Sequence, residues 1–441
     1  MNHKIGNLFK GDKVIWMVLF MLCMISVVEV FSASSNLTYK SNNYIMPIVK
    51  HSATIIVGVF IAIVTVKIQC RYFKLATPFL IVLSFFTLLW VLFAGETING
   101  ANRVIEIAGQ TFQPSEIAKG TMVLASAQIL SAMQTDRGTT DKKAMRFILI
   151  LLAPFVLLIG KENLSTAALL CFVIFLMMVI GRVPMVQLGK LLGVVVLCAS
   201  LAVGAVMALG NDEPQENPNL TKTEEVASKA ETKSSNVGKL QRLGTWKGRI
   251  RKFLDNKEVA PKDYDLDKDA QVAHANIAIV TSNIIGKGPG NSVERDFLAQ
   301  AFSDFIYAII IEEFGLIFGA GLVVLLYLWL LMRVGKIANK CGPFPALMII
   351  GIAIMLVTQA LINMMVAVDL IPVTGQPLPL ISKGGTSTVI NSIYIGIILS
   401  VSRYAQLREQ KELLKSQEGQ NIEDMELIDI PTPLDGESIE M

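Results

Sequence analysis

The sequence predicts an all-α polytopic membrane protein with about ten transmembrane helices and a large periplasmic loop between spans 7 and 8. Of its 441 residues, 53% are hydrophobic and only 17% are charged, and the mean hydropathy is +0.55. These values are too apolar for a soluble domain of this length, so lipid is expected to be the main solvent. The formal net charge of +3 gives no broad basic field, so no nucleic acid partner is expected.

Ten apolar runs, separated by charged residues, define the predicted spans. A bilayer core of roughly 30 Å needs about 20 apolar residues per helix. The runs cover residues 14–31, 53–68, 75–93, 117–133, 147–158, 164–180, 191–209, 305–332, 344–368 and 386–401. The fourth and fifth are short or interrupted by Lys119, Gly120 and Pro154, which leaves their ends the least defined. No small-residue cleavage site follows the first run, which predicts a retained span.

The distribution of Lys and Arg predicts the topology. Basic residues precede the first run and follow each even-numbered run, as in short cytoplasmic loops. Both termini are therefore expected in the cytoplasm. We predict a cytoplasmic N-terminus (1–13), a membrane domain (14–402) with a large periplasmic loop (211–303), and an acidic, disordered cytoplasmic tail (403–441).

Two polar segments of this organisation have distinct compositions. Residues 211–233 contain almost no large apolar side chains and are expected to be flexible, whereas residues 238–254 form a basic amphipathic segment suited to a headgroup surface. Beyond Lys415 the tail carries eight acids and no Lys or Arg, which predicts disorder. The five cysteines lie in apolar runs or basic loops, so no disulfide framework is expected.

The first outer connection holds Arg103 and the sequence Gln113-Pro114-Ser115-Glu116, with Lys119 close behind. Pro-Ser-Glu is typical of a helix start. Glu116 and Lys119 are three residues apart, so they share a helical face and are able to pair. Two interpretations follow: the cations bind an anionic substrate, or the pair neutralises itself at a helix end.

The second outer connection ends in a Gly-rich turn, and three acids follow in the eighth run or at its start. The turn carries Lys287, Asn291 and Ser292, and its backbone donors are suited to phosphate, although the sequence is not a Walker motif. Asp304 lies at the outer mouth of the eighth run, where it serves either as a helix cap or as a general base. Glu312 and Glu313 lie about two turns deeper, where adjacent acids predict a buried, hydrogen-bonded role.

The third outer connection is the most distinctive segment of the chain. Asn363 precedes it, and residues 369–385 include Pro372, Lys383, Gly384 and Gly385. Three prolines and three glycines preclude a regular helix, so we predict a folded re-entrant or surface loop.

Together, these motifs resemble the SEDS family (shape, elongation, division and sporulation) over nearly the whole chain. The resemblance implies a ten-span peptidoglycan glycosyltransferase that polymerises lipid II, and it implies a class B penicillin-binding protein transpeptidase and other divisome membrane proteins as partners. The Asn363-Met364 pair, residues 308–315 and the acidic tail are closer to the division members of the family than to its elongation members.

Several positions depart from the family pattern. The usual Arg-Trp is Arg103-Val104, the usual Pro-Asp-Leu-Gly is the segment 162–165, and the usual Ser-Tyr-Gly-Gly has Lys383 in place of the aromatic residue. The usual Glu-x-His-Thr before the acid is replaced at residues 300–303. These changes leave Asp304 intact and weaken a role for the residue at 163 or for an aromatic group at 383.

In the implied reaction a sugar hydroxyl attacks a lipid-linked anomeric carbon, and polyprenyl diphosphate leaves. Asp304 is the expected general base. The residues expected to contact substrate or diphosphate are Arg103, Glu116, Lys119, Lys287, Asn291, Ser292 and Lys383. Structural support is expected from Gln113, Pro114, Ser115, Glu312, Glu313, Asn363, Pro372, Gly384 and Gly385.

Other interpretations remain open at this stage. A divalent cation, Mg²⁺ or Mn²⁺, is an alternative countercharge for the diphosphate, although no residues have dedicated metal-ligand spacing. The rival functions are a lipid-linked oligosaccharide flippase, an elongation polymerase and a scaffold without chemistry. The outer position of the charged residues favours an enzyme over a flippase.

Overall fold

The computed structural model describes residues 9–33, 46–94, 96–98, 101–107, 110–135, 138–209, 270–298 and 301–428. Its helices are α1 (Lys13–Ala33), α2 (Met46–Val66), α3 (Cys70–Ala94), α4 (Pro114–Ala132), α5 (Lys142–Glu162), α6 (Leu164–Ile180), α7 (Met185–Leu209), α8 (Ala270–Thr281), α9 (Ile306–Gly315), α10 (Leu322–Ala338), α11 (Pro343–Ala367) and α12 (Thr386–Ile428). A π-helical segment, Leu316–Gly321, joins α9 to α10, and Glu294–Asp296 form a 3₁₀ turn.

The predicted all-α membrane fold is confirmed. Each of the ten predicted runs overlaps a helix, with the eighth run covering α9, the π segment and α10. In the described chain, seven helical segments are long and apolar enough to cross a membrane, and α6 and α7 provide shorter apolar helices. This is a multi-pass membrane protein. The polar helix α4 belongs to neither group and is instead mostly buried by protein.

The helices form an inner and an outer set. The inner helices α4, α11 and α12 bury most of their membrane-level residues, and α11 is hydrophobic around its whole circumference. The outer helices α2, α3 and α5 expose large apolar side chains, among them Leu75 and Phe93. Such faces are expected to contact lipid.

Small residues bring α2 and α12 close together. A Cβ atom added at Gly58 would lie 2.6 Å from the Ser392 hydroxyl, and one added at Gly396 would lie 2.7 Å from Thr65 Cβ. Neither helix has room for a larger side chain at these positions, which is the usual way in which membrane helices pack backbone to backbone. This seam fixes the position of α12, which begins where the third outer connection ends.

A small antiparallel sheet forms the first outer connection, an element that our sequence analysis missed. Its strands are β1 (Glu96–Ile98), β2 (Ala101–Ile107) and β3 (Gln110–Phe112), in the order β1-β2-β3. Ile98 pairs with Ala101. The sequence between them is Asn-Gly, which is the strongest short hairpin signal in a sequence. The sheet carries the predicted site residue Arg103 on β2.

The C-terminal part of α12 differs from expectation. We expected disorder beyond residue 402, but the helix continues to Ile428. Good helix-forming residues and a side-chain pair four residues apart, Arg408 to Glu412 at 2.9 Å, explain the extension. The segment 211–233, which we predicted to be flexible, the basic segment 238–254 and the final acids after residue 428 lie outside the described residues.

Candidate functional site

Asp304 lies at the outer end of α9, and a side chain of α11 holds its backbone. The amide of Asn363 donates to the Asp304 carbonyl at 2.8 Å. The hydroxyl of Ser303 donates to the Asp304 carboxylate at 3.1 Å. The N-cap of α9 is Phe305, which makes no side-chain capping hydrogen bond. Asp304 lies one residue before that position.

The third outer connection folds against the segment that contains Asp304. The hydroxyl of Ser382 donates to the Ser303 carbonyl at 2.6 Å, and the Lys383 backbone N–H donates to the Phe302 carbonyl at 3.0 Å. The Asn363 amide also donates to the Gln376 carbonyl at 2.7 Å, so a single side chain bridges the two segments. Asp304 is therefore set in a frame built by this connection and α11.

The connection itself is non-helical and largely buried from Gln376 to Ser382, as the sequence predicts for a folded loop. Leu380 has φ of +66°, which is rare for a bulky residue and marks a tightly constrained turn. The Ser387 N–H closes the end of the loop by donating to the Gly384 carbonyl at 2.9 Å. Pro372 lies in the less buried first half of the loop, and Gly385 has φ of +48° immediately before α12.

Lys383 provides a cation beside the Asp304 segment. Its ammonium lies 5.1 Å from the centre of the Phe302 ring, within cation–π distance. Partial burial lowers the pKa of Lys383 below that of an ordinary lysine, and the positive charge of Lys50 lowers the pKa further. Two cations, from α2 and from the loop, therefore face the same outer region.

The predicted pair on α4 forms, and it is buried. The Lys119 ammonium lies 2.8 Å from the Glu116 carboxylate and donates to the Gln359 side-chain oxygen at 2.6 Å. Lys119 has no exposed surface. The Gln359 amide in turn donates to the Pro377 carbonyl at 3.1 Å. The structure thus connects α4 to the loop that frames Asp304 but leaves Lys119 without direct access to the surface.

The other predicted residues at the start of α4 occupy structural positions. Pro114 is at the first turn of the helix, Gln113 is its N-cap without a side-chain capping bond, and Ser115 is buried. Arg103 lies on β2, but its side chain is outside the described residues. Asn163 caps α6 by accepting from the Thr166 N–H at 3.2 Å, so the departure from the family pattern at this position keeps a structural role.

The Gly-rich turn binds the carboxylates of α9, and this was not predicted. Glu312 and Glu313 are almost completely buried. The Lys287 ammonium lies 2.6 Å from Glu312, which also accepts from the Ser292 hydroxyl and the Val293 N–H. Several donors that we expected to hold phosphate are therefore committed to the protein's own carboxylates.

Backbone contacts bring the turn still closer to α9. The Lys287 and Gly288 N–H groups donate to the Glu312 and Glu313 carbonyls, both at 2.9 Å, where the helix gives way to the π segment. Gly286 has φ of +86°, and an added Cβ would lie 2.3 Å from the Glu313 carbonyl oxygen. Only glycine fits this contact. Asn291 supports the turn by donating to the Lys287 carbonyl at 3.1 Å.

Comparison with known proteins places this arrangement in a family. The family described as cell cycle protein, FtsW/RodA/SpoVE, matches residues 12–407. The chain belongs to the FtsW/RodA/SpoVE family. This membership confirms the resemblance seen in the four ordered motifs.

Relatives in this family cover most of the chain. A probable peptidoglycan glycosyltransferase FtsW from Halomonas elongata is 28% identical over 399 residues, which is 88% of this chain and 90% of that protein. A probable peptidoglycan glycosyltransferase FtsW from Enterococcus hirae is 26% identical over 420 residues, covering 93% of this chain and 97% of that protein.

Solved structures show that the fold is shared. A chain from a peptidoglycan synthase complex, studied for the coordination of polymerization and crosslinking, has a TM-score of 0.64 and 23% identity. That match covers 90% of this chain and 98% of the other. The rod shape determining protein RodA of Thermus thermophilus has a TM-score of 0.57 and 20% identity, covering 90% of this chain and 98% of the other.

Two residues near the motifs of this FtsW/RodA/SpoVE protein were missed in the sequence. Lys50 faces the Lys383 region, and it could have been found as a cation at the outer end of the second span. Glu29 of α1 is completely buried and close enough to Glu313 to interact electrostatically. Glu29 could have been recognised in the sequence because it is a lone acid within an apolar run. Among the described residues, no group of three or more His, Cys, Asp or Glu side chains is arranged to hold a metal ion.

The dependence of the turn on the buried carboxylate is testable with Glu312→Gln. The amide removes the charge that pairs with Lys287 and weakens acceptance from the turn. Glu312 is completely buried and accepts hydrogen bonds from several groups of the turn, so weakening these bonds is expected to lower the midpoint of thermal unfolding in detergent clearly. Glu409→Gln is the matched control, because its pair with Lys340 at 2.8 Å is exposed on both sides. The control is expected to unfold like the wild type, and equal effects of the two variants would contradict a special role for the buried pair.

Proposed function

We propose that this chain is a peptidoglycan glycosyltransferase that polymerises lipid II into glycan strands during cell division, with polyprenyl diphosphate as the leaving group. The observation that carries the proposal is the frame around Asp304. Asn363 and Ser382 fix the segment that bears this carboxylate, and Lys383 adds a cation beside it. Relatives that are 26% to 28% identical are named probable peptidoglycan glycosyltransferases.

The proposed reaction needs one base and one countercharge. The acceptor hydroxyl forms a new C–O bond at the anomeric carbon of the lipid-linked donor, and the bond from that carbon to the diphosphate oxygen breaks. The hydroxyl proton passes to Asp304, and the electron pair of the broken bond leaves with the diphosphate. A positioned general base contributes about 100-fold to 10,000-fold.

Cations at the outer face stabilise the departing diphosphate. Lys50 lies close enough to Lys383 to act on it electrostatically, and Arg103 is on β2, the middle strand of the sheet that precedes α4. Stabilising charge that develops in a water-poor site is usually the largest catalytic contribution. A divalent cation remains the alternative countercharge, but in the part of the chain that the structure describes no set of side chains fits a protein-held metal.

Residues farther from Asp304 position it. Lys119, buried between Glu116 and Gln359, neutralises a carboxylate and connects α4 to the loop. Gln359 and Asn363 are four residues apart on α11, so one helix face carries both connections. In this proposal Lys119 acts through the frame, whereas Lys287, Asn291 and Ser292 maintain the turn around Glu312 and Glu313.

The rival functions differ in where they need charge. A flippase for lipid-linked oligosaccharides is expected to place its charges near the membrane midplane on broken helices. Asp304 and Lys383 instead lie outside the helices, before α9 and before α12. A division role is preferred over an elongation role because the curated relatives given above are named FtsW.

The proposed setting is the bacterial inner membrane at the division septum, with both termini cytoplasmic. The alternation of Lys and Arg between spans supports this orientation. We propose lipid II as substrate, with a class B penicillin-binding protein transpeptidase and other divisome membrane proteins as partners. The fold shared with a chain of a peptidoglycan synthase complex is consistent with such a partnership.

Asp304→Asn tests the general base. The amide keeps the size and hydrogen-bonding capacity of the side chain but does not accept the hydroxyl proton. We expect normal insertion and lipid II binding, with strand synthesis reduced about 100-fold or more in a gel assay with labelled lipid II and the transpeptidase partner. Asp141→Asn is the matched control, since Asp141 caps α5 and an Asn cap serves equally well. Near wild-type synthesis by Asp304→Asn would refute the assignment.

Lys119→Met, alone and combined with Glu116→Gln, separates positioning from direct catalysis. The single variant leaves a buried carboxylate without its cation, so low yield is expected. The double variant removes both charges and should recover the yield. If Lys119 acts only by holding the frame, the double variant also regains most of the polymerisation rate. Normal yield with no polymerisation would instead assign the Lys119 charge to the reaction itself.

The pH dependence of polymerisation tests Lys383. A lysine with a lowered pKa loses its charge at a lower pH than an ordinary lysine, so activity that needs this charge declines earlier on the alkaline side. In Lys383→Arg the charge persists, since arginine stays protonated, and the alkaline limb of the pH–rate profile should move to higher pH. The control is Lys336→Arg. Lys336 is exposed in the last turn of α10, and its substitution should leave the profile unchanged. An unshifted alkaline limb in Lys383→Arg would exclude Lys383 as the titrating group.

A further inference from the structure

A basic cavity lies at the end of the helical bundle that is opposite Asp304. It has a volume of about 810 Å³ and lies between the α2–α3 connection, the start of α11 and the middle of α12. Phe344 lines it at the first turn of α11, whereas Asn363 holds Asp304 near the last turn. These two positions are 19 residues apart, which corresponds to about 28 Å along a helix. The cavity is therefore separated from the proposed catalytic site by the thickness of a membrane.

We propose that this cavity binds the headgroup of an anionic phospholipid. The distribution of Lys and Arg predicts that this face is cytoplasmic. Basic pockets between helices on that side are suited to anionic headgroups. The cavity volume falls within the range of about 300–1,000 Å³ that is typical of ligand sites.

The charge of the lining is strongly positive. Five basic side chains line the cavity: Lys67, Arg71, Lys74, Arg403 and Arg408. The lining contains one carboxylate, Glu412, which pairs with Arg408 at 2.9 Å. Lys67, Lys74 and Arg403 form no ion pair with any residue that the structure describes. The lining therefore offers several cations, unpaired among the described residues, to a negatively charged ligand.

The remaining lining is apolar or aromatic, which favours a lipid over a soluble anion. Phe344, Pro345 and Leu407 contribute apolar surface, and Tyr404 is about half exposed among them. Tyrosine is enriched at the level of lipid headgroups. A phosphodiester with attached acyl chains matches both parts of this lining, whereas free phosphate matches only the cations.

Local contacts hold the cavity in shape. The Arg71 guanidinium lies 4.9 Å from the centre of the Tyr72 ring and donates to the Tyr72 hydroxyl at 3.0 Å. The buried hydroxyl of Ser400 donates to the Ile68 carbonyl, which ties the α2–α3 connection to α12. The cations are therefore carried on a connected surface between three helices.

Native mass spectrometry of the full chain in detergent, with cardiolipin, phosphatidylglycerol or phosphatidylcholine added, tests the proposal. Each basic side chain near an anionic surface contributes roughly a fivefold attraction, so Lys67→Gln/Lys74→Gln should weaken cardiolipin and phosphatidylglycerol binding about 25-fold. Arg403→Gln should weaken it about fivefold. The matched control is Lys142→Gln/Lys143→Gln, which removes two exposed lysines at the start of α5, away from the cavity. This control should bind like the wild type.

Several outcomes would overturn the proposal. They are equal binding by the cavity variant and the control, equal binding of phosphatidylcholine, and displacement of the lipid by free phosphate at the same concentration. A shortened chain ending at residue 428 that gains lipid binding would identify the acidic tail as the natural occupant instead. Yield and thermal unfolding, measured for every variant, distinguish a lost site from a misfolded protein. Because no catalytic residue is changed, the test is independent of the proposed function.

Discussion

Charges inside this helical bundle have to find their partners within the chain, because lipid offers none. Glu312 and Glu313 impose this requirement most strongly, since two adjacent carboxylates are buried where α9 meets the π segment. The Gly-rich turn supplies the partners of Glu312, which are the Lys287 ammonium, the Ser292 hydroxyl and the Val293 N–H. The turn lies shortly before the Asp304 segment in sequence, so neutralising these carboxylates also anchors the chain that leads to Asp304.

The need to pair buried charges within the chain also applies to α4. Lys119 is buried, yet it contacts both Glu116 and Gln359, so its charge is shared between a carboxylate and an amide. Through Gln359 this polar group reaches the loop before α12, and through Asn363 the same helix reaches Asp304. The polar interior is thus a connected structure rather than a set of separate pairs. Removing one member is expected to disturb its neighbours, which is why paired substitutions are more informative than single ones.

The sequence predicted the helices well and the contacts less well, for physical reasons. Apolar runs of about 20 residues have the length needed to cross a bilayer, so the apolar helices were found whether they face lipid or protein. The pairing of Glu116 with Lys119 was accessible because both lie on one helical turn. The hydrogen bonds from the 286–292 turn to Glu312 and Glu313 could not be predicted, because a Gly-rich turn presents the same donors to a phosphate and to a carboxylate. The β-hairpin signal at Asn99-Gly100 was present but was overlooked in a chain dominated by helices.

The length of α12 has a mechanical consequence. Its 43 residues extend about 64 Å, roughly twice the thickness of the bilayer core. One end adjoins the loop that frames Asp304, and Gly58 and Gly396 press the helix tightly against α2. An α-helix resists twisting and bending over such distances far better than a loop does. The helix is therefore held against α2 within its first quarter, and a displacement of its far end is transmitted along continuous helix to the loop that frames Asp304.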